Sequence, residues 1–215
     1  MKRLSQELIQ YDHIIFDWNG TLLSDVQVVL NILNSNLARH SLPAISYEAF
    51  RDRFRFPIKE YYKELGMEDQ HYDSFNQHYH RLYNETYKSA ELYDGALDLL
   101  SELSKQGKVV SILSASEEGH LREAVDHFGV SQHVDHIYGL SNFVALGKAA
   151  RGLELMAHVS SVPQEQTIII GDTLYDAEVG KTLGIDVLLL ADGHQSMKQL
   201  AAAEAHCKVL PSRFF

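Results

Sequence analysis

The chain has 215 residues, of which 45% are hydrophobic and 22% are charged, a composition typical of a globular protein and not of a disordered, collagen-like or coiled-coil chain. Its 19 basic and 29 acidic residues give a formal net charge of −10, which argues against sequence-independent nucleic-acid binding because such binding depends on cations that neutralise phosphates. The single cysteine, Cys207, excludes an internal disulfide and a structural zinc site built on cysteines.

No apolar stretch approaches the roughly 18 residues that a membrane helix needs. Near the start, polar residues at positions 5, 6, 7 and 10 interrupt any signal-peptide core. We therefore expect a cytoplasmic protein that binds neither membranes nor nucleic acid, with a monomer and a homodimer both open as its oligomeric state.

Two kinds of segment alternate through most of the chain. Short runs rich in β-branched residues predict buried parallel strands at 13–16, 109–113, 134–138, 167–170 and 187–190, with a short final strand at 207–210. Helical patterns lie at 96–106, 117–128, 145–159 and 176–183. Three helical patterns are followed by residues that we expect to form left-handed caps, namely Gly107, Gly129 and Gly184. This alternation predicts right-handed βαβ units, and hence an α/β fold with a parallel sheet covered on both faces.

The interval between the first two strands is different. Residues 24–90 carry helical patterning without a convincing strand, and they hold most of the tyrosines. A crossover helix needs only about a dozen residues, so this interval is too long for a connection. We interpret it as an inserted α-helical cap domain of residues 24–90, seated above the edge of a core formed by residues 1–23 and 91–215.

Polar residues follow several predicted strands, at the edge where open α/β sheets bind ligands. The first strand runs into Asp-Trp-Asn-Gly-Thr at 17–21, and the second runs into Ser114. The strand at 167–170 runs into Gly-Asp-Thr-Leu-Tyr-Asp at 171–176, while Lys148 stands near the start of a predicted helix. We expect these four features to meet in one crevice.

Such a crevice would bring Asp17, Asp172 and Asp176 together. At about 4 Å, two like charges repel by roughly 4 kcal/mol at an effective dielectric constant of 20, so the cluster needs a cation. Mg²⁺ prefers oxygen ligands of this kind. Lys148 and the hydroxyl of Ser114 would then bind phosphoryl oxygens, with Asp17 as the candidate nucleophile, because aspartyl phosphate is an established covalent intermediate.

With these four motifs in this order, the chain resembles the haloacid dehalogenase superfamily, in particular its phosphoglycolate-phosphatase-like branch with a helical cap, and the resemblance covers nearly the whole chain. It implies a Rossmann-like core and a Mg²⁺-dependent phosphohydrolase or phosphotransferase acting on a small phosphorylated metabolite. It also implies that Asp17 is phosphorylated, while Asp17, the backbone carbonyl of Asn19 and Asp172 hold the metal. Asp176 would act at the metal shell or just behind it.

The resemblance also implies which residues surround the transferring phosphoryl group. Ser114 and Lys148 would bind it directly, and Thr21 would support the loop that carries the nucleophile. The residues expected to bind substrate and phosphate are Gly20, Thr21, Ser114, Ala115 and Lys148, together with Arg55 and Lys59 of the cap.

The chain departs from the family pattern at Asn19. The family's phosphatases usually carry an aspartate there, which protonates the leaving alkoxide and then activates the hydrolytic water. An amide does neither, and general acid–base help is worth about 10²–10⁴-fold in rate, or about 3–5 kcal/mol.

Several explanations of Asn19 stay open. The substrate could be an acyl or aryl phosphate whose leaving group needs no proton, or the enzyme could be slow, with its acid supplied by the cap or by water. A phosphonatase-like reaction would use a Schiff base on Lys59 of the cap, and deamidation of the Asn19-Gly20 pair would create an aspartate. A binding or regulatory protein with weakened catalysis is a further alternative.

The predicted cap holds one basic stretch, made of Arg51, Arg53, Arg55 and Lys59. It is either a solvated helix face or a patch that steers a second anionic group of the substrate toward the metal, in which case Arg55 and Lys59 bind substrate. The 12 histidines lack the spacing of a zinc site, so none is predicted.

Overall fold

The computed structural model of the chain describes residues 3–140, 147–204 and 207–212. Within them the strands are β1 (His13–Phe16), β2 (Leu23–Ser24), β3 (Glu91–Leu92), β4 (Val109–Glu117), β5 (His136–Leu140), β6 (Thr167–Gly171), β7 (Asp186–Leu190) and β8 (Cys207–Leu210). The α-helices are α1 (Arg3–Leu8), α2 (Val26–Arg39), α3 (Tyr47–Arg53), α4 (Ile58–Glu64), α5 (Tyr72–Thr86), α6 (Ala96–Lys105), α7 (Glu118–His127), α8 (Lys148–His158), α9 (Leu174–Leu183) and α10 (Met197–Leu200).

Six strands form one sheet in the order β5-β4-β1-β6-β7-β8, and every neighbouring pair in it is parallel. The central strand β1 is buried along its whole length. Ile14 and Phe16 pack into one core and Ile15 packs into the core on the opposite face, because successive side chains of a strand alternate between its faces. The predicted α/β fold with a parallel sheet is confirmed.

The register of the sheet decides where the candidate site forms. Phe16, the last residue of β1, lies opposite Ile112 of β4 and Ile170 of β6. The chain therefore leaves these strands at the same edge of the sheet, and the polar residues that follow them are brought together there.

Several predicted element bounds shift. β4 continues to Glu117 instead of ending at 113, with a register shift between Leu113 and Glu117, because backbone pairing does not require apolar side chains. β5 lies two residues later than predicted. The helix predicted at 145–159 begins at Lys148 in the structure, and residues 145 and 146 lie outside the described residues. All three glycines expected at left-handed positions have φ between 67° and 74°.

The helices α2–α5 lie between β2 and β3 and pack into a core of their own. β2 and β3 pair antiparallel and carry the chain into and out of this helical layer, which we call the cap. The sequence analysis found no strand here, because two residues carry too little periodicity. The cap core is aromatic, with Phe50, Tyr61 and Phe75 fully buried. Within the described residues, no helix combines the length and the apolar character needed to cross a membrane.

Candidate active site

Three aspartates converge at the carboxyl edge of the sheet. Asp17 follows β1, Asp172 follows β6, and Asp176 lies in the first turn of α9. All three are buried, and one carboxylate oxygen from each lies within 4.8 Å of the others. The backbone N–H of Asp17 donates to the carbonyl of Ile170 at 2.8 Å, which fixes the loop after β1 against β6.

Lys148 completes this cluster from the start of α8. Its Nζ lies 2.5 Å from Oδ1 of Asp17 and 2.5 Å from Oδ1 of Asp176, and the residue is only 2% exposed. Oδ2 of Asp176 in turn accepts from the backbone N–H and the hydroxyl of Thr173, at 3.1 and 2.7 Å. These contacts at the start of α9 set the position of Asp176, and α9 begins two residues earlier than predicted.

The charges of the cluster shift its protonation equilibria. Burial raises the pKa of Asp17 to about 7, with Lys148 acting in the opposite direction and Asp176 and Asp172 adding to the rise. Burial alone would lower the pKa of Lys148, but Asp17 and Asp176 outweigh it and raise that pKa. Lys148 pairs with two of the three carboxylates, those of Asp17 and Asp176. The donor set is made of hard oxygen atoms and fits a divalent cation such as Mg²⁺.

Two glycines allow the backbone to approach Asp172. Gly20 has φ of +70°, and a Cβ built there would lie 2.1 Å from Asp172 Oδ2. A Cβ at Gly193 would lie 2.2 Å from the same oxygen. Both distances are too short for a side chain at either position. Gly20 therefore contributes to the site by letting its backbone pack closely against the Asp172 carboxylate.

Asp172 has a partner that the sequence analysis missed. The backbone N–H of His194 donates to Asp172 Oδ2 at 2.5 Å, and Nδ1 of its ring lies 2.9 Å from that oxygen. The hydroxyl of Thr21 donates to Asp172 Oδ1 at 3.4 Å. Burial alone would lower the pKa of His194, but Asp172 reverses this effect and raises it to about 9. Polar residues that follow a predicted strand indicated most of the other site residues, and the same pattern after β7 could have indicated this histidine.

The side chain of Asn19 is held on every side. Its Nδ2 donates to Asp25 Oδ2 at 2.7 Å and to the hydroxyl of Tyr83 at 2.5 Å, while its Oδ1 accepts from the hydroxyl of Ser116 at 2.9 Å. The hydroxyl of Tyr83 donates to the same Asp25 oxygen at 2.7 Å. Both amide hydrogens are therefore engaged by cap residues and fix the orientation of Asn19.

Asp25 is the centre of this network, and it is fully buried. It stands at the N-cap of α2, yet its side chain makes no capping bond, because Oδ1 accepts instead from the backbone N–H of Gly20 at 2.9 Å. An aspartate directly before a helix is usually explained as a cap. The sequence analysis singled out neither Asp25 nor its partner Tyr83, because no local pattern indicates their bond.

Ser114 and Ala115, the other residues expected at the phosphate site, line the cavity beside the cluster. The hydroxyl of Ser114 accepts from the backbone N–H of Ser116 at 3.1 Å. The structure thus brings Asp17, Ser114 and Lys148 together around one space.

The structure does not bring Arg55 and Lys59 to that space. Arg55 Nη1 lies 2.6 Å from Glu64 Oε1, and Lys59 Nζ lies 3.4 Å from Asp69 Oδ1, with both basic side chains 45% exposed. Neither lines the cavity. Acidic residues of the cap pair with them on its outer surface, which separates both from the other predicted site residues.

The other two arginines of the basic stretch also have partners. Arg53 donates to the backbone carbonyl of Glu64 at 3.4 Å. Arg51 donates through Nε to the carbonyl of Gly193 at 2.7 Å and through Nη2 to the carbonyl of Ala191. Arg51 thereby fastens the cap to the loop that carries His194.

A cavity of about 470 Å³ lies between the cap and the core. Asp17, Lys148 and Ser114 line it together with many aromatic side chains of the cap. The hydroxyl of Tyr61, one of these side chains, is buried without a hydrogen-bond partner among the described residues.

These features define an α/β protein with an acidic crevice at the carboxyl edge of a parallel sheet and a helical cap above it. Residues 14–190 match the family model described as haloacid dehalogenase-like hydrolase, so the chain belongs to that family.

The chain is similar to three further proteins. "Phosphoglycolate phosphatase" of Mesorhizobium japonicum is 24% identical over 192 residues, which cover 84% of this chain and 83% of that protein. "Tyrosine-protein kinase PtkA" of Mycobacterium tuberculosis is 22% identical over 182 residues, covering 84% of this chain but only 62% of that protein. A haloacid dehalogenase-like family protein of Streptococcus pneumoniae superimposes with a TM-score of 0.79 at 22% identity, covering 93% of this chain and 94% of that one. At these identities the structural likeness establishes the fold.

Proposed function

We propose that the chain is a Mg²⁺-dependent phosphohydrolase that transfers the phosphoryl group of a small phosphorylated metabolite first to Asp17 and then to water. The observation that supports this most is the buried Asp17 carboxylate, 2.5 Å from the Lys148 ammonium and grouped with Asp172 and Asp176. Membership of a hydrolase family and similarity to proteins named as phosphatases point the same way.

Asp17, Asp172 and the backbone carbonyl of Asn19 would hold the metal, with Asp176 at or behind them. When bound, Mg²⁺ would neutralise negative charge on the phosphoryl oxygens. Because burial raises the pKa of Asp17 to about 7, additional positive charge would also keep the nucleophile deprotonated.

In the first step, a carboxylate oxygen of Asp17 forms a bond to phosphorus while the bond from phosphorus to the leaving oxygen breaks. The leaving group takes that electron pair away. Lys148 and the hydroxyl of Ser114 supply a positive charge and a donor for the equatorial phosphoryl oxygens, where charge accumulates. Ala115 lines the same cavity, whereas Gly20 and Thr21 bond to Asp25 and Asp172 and would support the site from behind.

In the second step, water attacks the phosphorus of the aspartyl phosphate and expels the Asp17 carboxylate. Phosphate is released, and the proton of the water passes to bulk solvent. Residue 19 offers no base for this step, since its amide carries no ionisable group. The second step is therefore the slower one for any substrate with a good leaving group.

The structure gives no support to a phosphonatase reaction through Lys59. A Schiff-base lysine is activated by desolvation or by a neighbouring cation. The Lys59 side chain is instead 45% exposed, faces Asp69 and the ring of Tyr72, and does not line the cavity.

The proposal is tested by incubating the protein with Mg²⁺ and acetyl phosphate labelled with ³²P, followed by acid quenching. We expect a hydroxylamine-sensitive label on the peptide that holds Asp17, lost in Asp17→Asn and in the presence of EDTA. Asp12→Asn is the matched control, because Asp12 is a neighbouring but exposed aspartate. A label that survives in Asp17→Asn, or no label in the wild type, contradicts the proposal.

A further inference from the structure

The cavity above Asp17 has an aromatic wall along α5 and the turn that follows it. The rings of Tyr79, Tyr83 and Tyr87 follow one another at four-residue intervals and stack with interplanar angles of 12° and 20°. All three line the cavity. Their rings therefore form one side of the space that the leaving group would occupy.

A second aromatic group comes from α3, α4 and the segment between them. Phe54 lies 5.1 Å from Phe50 and 5.6 Å from Tyr61, measured between ring centroids, and all three residues line the same cavity. Aromatic pairs prefer tilted or edge-on arrangements of this kind, and a further ring fits such surroundings well. The volume of about 470 Å³ lies within the range of about 300–1,000 Å³ typical of small-molecule sites.

The cavity offers little to a second anionic group. The described residues that line it include no arginine and one lysine, Lys148, whose ammonium already faces Asp17 and Asp176. Asp25 and Glu117 add negative charge to the lining. Two of the histidines that line it face carboxylates of the protein, His194 at Asp172 and His120 at Glu117. The cations of the basic stretch bind carbonyls or acidic residues of the protein instead.

The chemistry at residue 19 restricts the leaving group as well. Both hydrogens on Nδ2 of Asn19 are held by Asp25 and Tyr83, so the amide has no hydrogen to offer the departing oxygen. A phenol has a pKa of about 10, several units below that of an aliphatic alcohol, and its anion departs without protonation.

We propose that the substrate is an aryl phosphate whose leaving group is a phenol without a second anionic group. This inference rests on the proposed phosphohydrolase function and narrows it. The aromatic part occupies the cavity between the two aromatic groups of the cap, the bond between phosphorus and the phenolic oxygen breaks, and the phenolate departs with the electron pair.

Turnover of matched substrates tests the inference. We expect kcat/KM for phenyl phosphate to exceed that for benzyl phosphate by about 100-fold or more, because benzyl phosphate keeps the ring but has an alkoxide leaving group. 2-Phosphoglycolate, which carries a carboxylate and no ring, should be turned over no better than benzyl phosphate.

Binding is measured separately in Asp17→Asn, where phosphoryl transfer is blocked. Trp18 is the only tryptophan and lines the cavity, so its fluorescence reports occupancy. Phenyl and benzyl phosphate should bind with similar Kd, and 2-phosphoglycolate at least about 10-fold more weakly. This pattern separates recognition of the ring from the effect of the leaving group.

A charge placed in the cavity should change this preference. Asn76 of α5 lines the cavity, whereas its neighbour Gln77 is exposed. Asn76→Arg should improve binding of 2-phosphoglycolate by about 10-fold, as one charge-assisted hydrogen bond does, and Gln77→Arg should not.

The outcomes distinguish the two proposals. If acetyl phosphate labels Asp17 but benzyl phosphate or 2-phosphoglycolate is turned over as well as phenyl phosphate, the aryl substrate is wrong and the phosphohydrolase stands. Preferred binding of 2-phosphoglycolate by Asp17→Asn overturns the aryl substrate in the same way. If acetyl phosphate does not label Asp17, both proposals fall.

Discussion

Replacing Asn19 by aspartate restores a carboxyl group where the family's phosphatases usually have one. In the wild type, Asn19 Nδ2 lies 2.7 Å from Asp25 Oδ2. Two carboxylates at that distance repel by about 6 kcal/mol at an effective dielectric constant of 20, which corresponds to a pKa rise of about 4 units. The introduced carboxyl group would therefore hold a proton near neutral pH, as a general acid must.

We expect Asn19→Asp to accelerate both steps, but unequally for different substrates. With phenyl phosphate the wild type should release one equivalent of phenol per active site in a rapid burst, because the leaving group needs no acid and hydrolysis of the aspartyl phosphate lacks a base. Asn19→Asp should raise the steady-state rate by about 10²–10⁴-fold and remove the burst. With benzyl phosphate the gain should appear in the first turnover as well.

The assay is rapid-quench measurement of phenol and phosphate at a fixed enzyme concentration. Asn31→Asp is the matched control, because it adds the same charge to an exposed position of α2. If the wild type gives no burst and Asn19→Asp leaves the steady-state rates with phenyl and benzyl phosphate unchanged, residue 19 does not face the leaving oxygen. The proton-transfer reasoning is then refuted.

Three further changes test the packing of the site and the core. Gly20→Ala should abolish labelling of Asp17 and lower the free energy of unfolding by about 1–3 kcal/mol. Residue 20 has φ of +70°, and its new Cβ would lie 2.1 Å from Asp172 Oδ2. The label and the urea midpoint are the two measurements. Tyr61→Phe should leave the free energy of unfolding unchanged or raise it by about 1 kcal/mol, since the buried hydroxyl has no partner among the described residues; a loss above that amount in urea unfolding would show that the hydroxyl is satisfied. His13 is buried beside the hydroxyl of Ser111, and burial lowers its pKa to about 4. As the pH is lowered from 6.5 to 4, the unfolded chain takes up a proton at this histidine while the folded chain does not, so the free energy of unfolding decreases by up to about 3 kcal/mol. His13→Asn should flatten this part of a urea-unfolding series across pH, and an unchanged slope would assign it to other groups.

The sequence by itself determined the fold class and the acidic cluster. Short runs of β-branched residues indicate buried strands; Asp17 directly follows one such run, and Asp172 follows another after Gly171. Once parallel strands pair in register, residues that follow them meet at one edge, so convergence of these carboxylates follows from chain order and sheet geometry.

Tertiary structure alone decided what surrounds that cluster. Asp25 and Tyr83 are 58 residues apart, and neither carries a local pattern that indicates their bond across the cap. Arg51 points toward the loop that carries His194, whereas Arg55 and Lys59 point toward acidic neighbours. These partners come close only when the cap folds. Local periodicity indicates which face of an element is buried, but not which distant side chain that face contacts. The contacts formed on folding are what make this cavity aromatic and poor in cations.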